Sequence, residues 1–209
     1  RKIVERGKVY IVSAPSGAGK STLVKGLIQL VSNLVFSVSY TTRQPRGQEL
    51  TGREYHFVDR MVFEKMIEED KFVEYAKVFD HYYGTASVSL EDVVEKGKDI
   101  LLDIDTAGAV QVRKKLPDVV SIFIMPPSYE VLRKRLELRK QDNPETIQKR
   151  LQWAAEKEIY QYENYDYVII NDDFSQAMES MRSIVLAERC RKGRMTHRIQ
   201  SIIKTFGGT

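Results

Sequence analysis

Apolar residues fall in short unbroken runs, separated by longer segments where they recur every three or four positions. Four runs stand out: Val9–Val12, Ile100–Leu102, Val119–Met125 and Val168–Ile170. Runs this short, without polar alternation, predict strands buried on both faces, the pattern of a parallel sheet. Between them, Leu23, Leu27, Leu30 and Val31 form a stripe at helical spacing, and Leu132 and Leu136, then Leu151, Ala154 and Ala155, mark others. Asn143-Pro144 predicts a helix start, a capping residue followed by proline at the first helical position. Strands alternating with helices predict an α/β core.

Residues 37–90 break this rhythm. Phe36–Tyr40, Glu54–Val58 and Phe72–Val78 read as short strands around one helical segment, Phe63–Glu69, which predicts an α+β insertion. Residues 127–161 are charged and helical and carry paired arginines, the character of a moving lid. The expected organisation is a core of 1–36, 91–126 and 162–209, an insertion of 37–90, and a lid with its following helix over 127–161.

Composition narrows the class. With 209 residues, 42% hydrophobic and 30% charged, the chain has material for one large core and excludes a disordered or collagen-like protein. Its longest apolar runs fall far short of the roughly 18 residues a spanning helix needs. The single cysteine, Cys190, cannot form an internal disulfide, so a cytoplasmic protein with no membrane partner is expected. The net charge of +4 fits an anionic ligand as well as nucleic acid. Arg189, Arg191, Lys192, Arg194 and Arg198 read as a solvated basic face, with no nucleic acid bound there. His56, His81 and His197 are scattered and show no metal-ligand spacing.

The most informative stretch is Ala14-Pro15-Ser16-Gly17-Ala18-Gly19-Lys20-Ser21-Thr22, between the first apolar run and the first helical stripe. That is the strand–loop–helix setting of a P-loop. Gly17 and Gly19 let backbone N–H groups turn toward phosphate oxygens, and the following helix adds unpaired donors and its positive end. Lys20 would reach the β- and γ-phosphates, and Ser21 would offer its hydroxyl to Mg²⁺. Ala14 stands where the motif has its first glycine, which is harmless only if φ stays negative there.

A P-loop names a nucleoside triphosphate and leaves the reaction open. Arg43 and Arg46 lie three apart in a loop stiffened by Pro45, and a guanidinium fork suits a phosphate. With Tyr55, Glu74 and Tyr83, these residues could hold a nucleoside monophosphate.

The P-loop, Thr41-Thr42-Arg43-Gln44-Pro45-Arg46, Tyr82-Tyr83-Gly84-Thr85, Leu102-Asp103-Ile104-Asp105 and Val168-Ile169-Ile170-Asn171-Asp172-Asp173 together resemble the signature segments of bacterial guanylate kinases. The resemblance runs from about Gly7 to Arg191. It implies an α/β P-loop nucleoside-monophosphate-kinase core with a parallel sheet, an α+β GMP-binding insertion and a helical lid. It implies Mg²⁺-dependent transfer of a phosphoryl group from ATP to GMP, with dGMP a further acceptor, and it is compatible with a homo-oligomer. By resemblance, Arg43, Arg46, Tyr55 and Tyr83 hold the GMP phosphate, beside Gly84. Ser39, Glu74, Thr85 and Asp105 read guanine. Asp103, near GMP, joins Ser21 in the Mg²⁺ shell, directly or through water. Arg135, Arg139 and Arg150 meet the ATP phosphates, and Asn171 lies near adenine. Where the family has Asp-x-Gln-Gly, this chain reads Asp105-Thr106-Ala107-Gly108. Two other readings are an inactive, protein-binding module of the same fold and a P-loop kinase for another acceptor. The intact Gly19-Lys20-Ser21 argues against the first.

Overall fold

A computed structural model describes residues 5–78, 80–138 and 143–207. The four apolar runs become β1 (Val9–Ser13), β7 (Asp99–Asp103), β8 (Val120–Met125) and β9 (Tyr167–Ile170). A fifth strand, β2 (Leu34–Phe36), completes a parallel sheet of order β2-β7-β1-β8-β9. Phe36–Tyr40 is therefore not one strand. Leu34–Phe36 pairs with β7 in the large sheet, whereas β3 (Tyr40–Thr41) begins a separate one.

Helices cover both faces of the parallel sheet. On one side α1 (Lys20–Leu30) and α7 (Phe174–Arg189) pack Leu23, Leu27, Met181 and Val185 against Tyr10, Val12 and Ile122. On the other, α3 (Ser87–Glu95) and α4 (Thr106–Lys115) pack Leu90, Val94, Ala109 and Val112 against Ile11, Ile100 and Leu102. Strands buried on both faces have no polar side to show, which is why they read as unbroken runs. Strand order reverses at β1, so the carboxyl ends of β1 and its neighbours open into a crevice where such sheets bind ligands.

The second sheet has the order β4-β3-β6-β5, with β4 (His56–Phe57), β5 (Phe72–Val78) and β6 (His81–Ala86). Helix α2 (Arg60–Glu68) covers it, stacking Phe63 on Phe72 and Tyr82. A β-bulge interrupts β5: Phe72 pairs with Ala86, but Glu74 pairs with Thr85. Phe72 joins the cluster under α2, whereas Val73 packs with Leu90 and Val94 in the main body. Gln111 and Lys115 of α4 also hold β5, through the backbone of Tyr75 and the carbonyl of Phe72.

Two further helices, α5 (Tyr129–Leu138) and α6 (Pro144–Trp153), pack through Leu132, Leu136 and Leu151. Asn143 caps α6 by accepting from the Thr146 N–H at 2.8 Å, with Pro144 following it. A π-helical turn, Ala154–Glu158, and a 3₁₀ segment, Ile159–Asn164, lead into β9. The last helix is α8 (Thr196–Thr205), preceded by a 3₁₀ turn, Lys192–Met195. No helix among the described residues is long and apolar enough to cross a membrane.

Asp173 caps α7, its carboxylate accepting from the Gln176 N–H at 2.8 Å. Asp173→Ala is expected to cost about 1 kcal/mol of stability, read as a shift in the denaturation midpoint at unchanged slope. An unchanged midpoint would mean that the cap is replaced by water at no cost.

Candidate active site

The loop after β1 owes its path to two glycines. Gly17 and Gly19 both have φ 94°, a region that L side chains rarely enter. A Cβ on Gly19 would lie 2.3 Å from the Asn171 amide nitrogen. Ala14 is buried, and it is not among the residues with positive φ, so alanine fits where the motif has glycine. The loop is braced from two distant segments. Asn171 donates to the Ala18 carbonyl at 2.7 Å, and Arg135 donates to the Asn171 carbonyl at 2.9 Å. Arg150 donates to the Ser16 hydroxyl at 3.2 Å. Thus Asn171 commits its amide to the loop itself. Arg139 lies outside the described residues.

Lys20 opens α1 and turns to the end of β7, 2.5 Å from Asp103 Oδ1 and 3.0 Å from the Ile104 carbonyl. Ser21 Oγ lies 3.4 Å from Asp103 Oδ2. One hydroxyl and one carboxylate suit Mg²⁺, which is usually held by one or two protein oxygens plus phosphate and water. Among the described residues, no cluster of three His, Cys, Asp or Glu side chains could form an all-protein cage.

Glu158 also reaches this loop, from a distant turn, and no pattern along the chain pointed to it. Burial pushes its carboxyl above the ordinary range, opposed by the Ser16 backbone N–H and by Lys20 and Arg150 nearby. The π-helical turn supplies the offset that brings it there, a placement no regular 3.6-residue pattern encodes.

The second sheet carries the other expected residues. Arg43 is buried; its fork meets Glu49 at 2.9 and 3.0 Å, and its guanidinium lies 5.4 Å from the centre of the Tyr55 ring. The Glu49 carboxylate raises the Arg43 pKa further, and Arg43 in turn lowers that of Glu49. Glu49 also accepts from the Arg46 backbone N–H at 2.7 Å. It was missed because a lone glutamate in a polar loop carries no pattern. The Arg46 residue is exposed. The rings of Tyr55 and Tyr83 meet edge-on, 5.9 Å apart. Ser39 holds β4 through its carbonyl, which accepts from the His56 N–H.

Glu74 is 7% exposed and accepts from the Thr85 hydroxyl at 2.6 Å. Burial raises its carboxyl above the usual range; the Thr85 hydroxyl opposes the shift, and nearby Asp105 adds to it. Asp105 caps α4, accepting from the Gly108 N–H at 2.7 Å. A Cβ on Gly108 would lie 3.0 Å from Glu74 Oε2 and 3.2 Å from Asp105 Oδ1, so both carboxylates converge on one backbone position. Gly84 has as little room, with the Glu74 carbonyl and the Phe72 and Tyr75 side chains all 3.0 Å from a Cβ there.

A P-loop on a parallel sheet, with cationic side chains reaching it and a second sheet that carries buried polar side chains, defines a P-loop kinase of small phosphorylated acceptors. Comparison with known proteins makes this specific. A family profile described as guanylate kinase matches residues 6–188. A guanylate kinase of Koribacter versatilis is 50% identical over 189 residues, covering 89% of this chain and 81% of that one. One of Methylococcus capsulatus is 46% identical over 203 residues, covering 97% and 99%. The crystal structure of guanylate kinase from Anaplasma phagocytophilum superposes with a TM-score of 0.71 at 38% identity, over 91% of this chain and 90% of that one. The chain belongs to the guanylate kinase family.

Proposed function

We propose that the crevice at the carboxyl ends of β1 and β7 seats ATP and GMP together, with the turn 103–108 as their common wall. The reaction is that of the family: phosphoryl transfer from ATP to GMP, giving ADP and GDP. One observation carries the assignment. Asp103 and Ile104 hold Lys20, and within the next four residues Asp105 accepts from the Gly108 N–H, against which the Glu74 carboxylate lies. A single short turn therefore touches both the triphosphate loop and the base pocket.

The cations rest on internal acceptors: Lys20 on Asp103, Arg43 on Glu49, and Arg135 on backbone carbonyls. Phosphate oxygens replace those acceptors when substrates bind. Lys20, Arg135, Arg139 and Arg150 then face the transferring group, while Arg43, Arg46, Tyr55 and Tyr83 hold the acceptor phosphate. Mg²⁺ bound near Ser21 and Asp103 supplies further neutralisation of the developing charge. The acceptor phosphate, with a second pKa near about 6, is itself the nucleophile and requires no general base at neutral pH. Ser39, Glu74, Thr85 and Asp105 read the base, and dGMP, which carries the same base and phosphate, is a further acceptor. The lone Cys190, exposed and free, suits a reducing cytoplasm.

The test is ADP formation across GMP, dGMP, AMP, UMP and TMP. Efficient use of GMP and dGMP alone is expected; equal use of AMP would overturn the base assignment. Arg43→Met should raise the KM for GMP by about 10–100-fold, the size of one or two charge-assisted bonds, and leave that for ATP within about twofold of wild type. A shift confined to ATP would place Arg43 on the wrong substrate. Residues 37–90 and 127–161 are assigned to bodies that close over the crevice and exclude water. A bisubstrate analogue should therefore reduce the radius of gyration in solution scattering, and an unchanged radius would refute closure.

A further inference from the structure

The basic C-terminal segment is not the uniformly polar face its arginines suggest. In α8 and at the residue that ends it, Ile199, Ile202, Ile203 and Phe206 are 39, 50, 47 and 85% exposed, and the helix buries none of its residues. Spaced at i, i+3, i+4 and i+7, they fall on one stripe. His197, Arg198 and Lys204 occupy the rest of the surface with Gln200 and Ser201. From Arg189 to Thr209 the chain has six Lys or Arg residues and no Asp or Glu. Asp99 and Glu188 pair with Arg189, Arg194 and Arg191, whereas among the described residues no acidic partner meets Lys192, Arg198 or Lys204.

We propose that α8 is a peripheral docking helix for an anionic lipid surface, lying in the interface with its isoleucine stripe down. Charge and size choose this occupant. Nucleic acid would satisfy the cations and leave the apolar stripe in water. A second α8 would bring like charges together, and one ten-residue helix is small beside the roughly 800 Å² per partner of a stable protein interface. An anionic bilayer accepts both features at once, apolar side chains below the headgroups and lysine and arginine among them. This departs from the expectation of no membrane partner, with attachment to the surface and no crossing of it.

The test uses the whole protein and sedimentation with vesicles of phosphatidylglycerol and phosphatidylcholine mixed equally, against pure phosphatidylcholine. Binding to the anionic vesicles, weakened by salt, and at least about tenfold weaker to the neutral ones is expected. The double variant Ile202→Asp with Ile203→Asp should lose at least about tenfold in vesicle affinity, with melting temperature and vesicle-free turnover unchanged. No binding to anionic vesicles overturns the proposal, as does equal binding by the double variant. Light scattering that shows a wild-type dimer abolished by the double variant would assign the stripe to a second copy, also overturning it.

Discussion

Lys20→Met is expected to lower turnover by about 10²–10³, the usual loss when one preorganised donor to transition-state charge is removed. The lysine spans the two halves of the donor site: its backbone starts α1 and its ammonium lies on Asp103 and the Ile104 carbonyl. Methionine keeps the length and removes the charge, so the helix start and the glycine turn survive. Asp103 keeps its contact with Ser21 and its access to the crevice, and melting should move little. Turnover in a coupled assay and a thermal melt on the same sample decide the matter. A folded variant with near-wild-type turnover would remove Lys20 from the mechanism.

Glu74→Gln should lower kcat/KM for GMP by at least about 10³, within the 10⁴–10⁵ ceiling seen when a site built on polar pairing loses its match. Guanine offers two neighbouring donors, N1–H and the exocyclic amine, which an ionised carboxylate accepts and a carboxamide only half accepts. If the GMP-to-AMP efficiency ratio does not change, guanine is read elsewhere. The same substitution should stabilise the ligand-free protein at neutral pH. Burial raises the Glu74 pKa in the folded state, so the fold favours its protonated form. That preference helps folding below the ordinary carboxylate pKa, about 4, and is lost as pH rises through the raised value. The carboxamide does not titrate, so the melting advantage of the variant should grow across that window and level off above it. Over the same window, wild-type efficiency with GMP should rise. A variant less stable than wild type at pH 8 would show that the Thr85 bond outweighs the burial cost.

What could be read in advance followed from how each feature is written along the chain. The phosphate loop and the doubly covered strands are local patterns, set by glycine spacing and unbroken apolarity, and they were legible. Strand β2 was misplaced because Phe36 ends one sheet and Tyr40 begins another, with no proline or charge cluster between to mark the change. Arg43 and Glu74 were found as residues, but their partners Glu49 and Gly108 were not. The first is an ion pair within one loop, six residues along, and the second a close approach across the fold; a single glutamate or glycine has no period to betray either. Glu158 was hidden more deeply still, since an extra backbone residue in a helical turn moves a side chain without altering composition.

The bulge in β5 has a consequence for chain length. Phe72 and Glu74 already face consecutive residues of β6, so Val73 is the surplus residue in that ladder. A chain one residue shorter here would regularise the pairing and keep Glu74 opposite Thr85. It would lose the side chain that plugs the small sheet into the wall of Leu90 and Val94. The sheet would keep its polar ties to α4 through Gln111 and Lys115 but lose its apolar one, like a door left on its latch after a hinge pin is drawn.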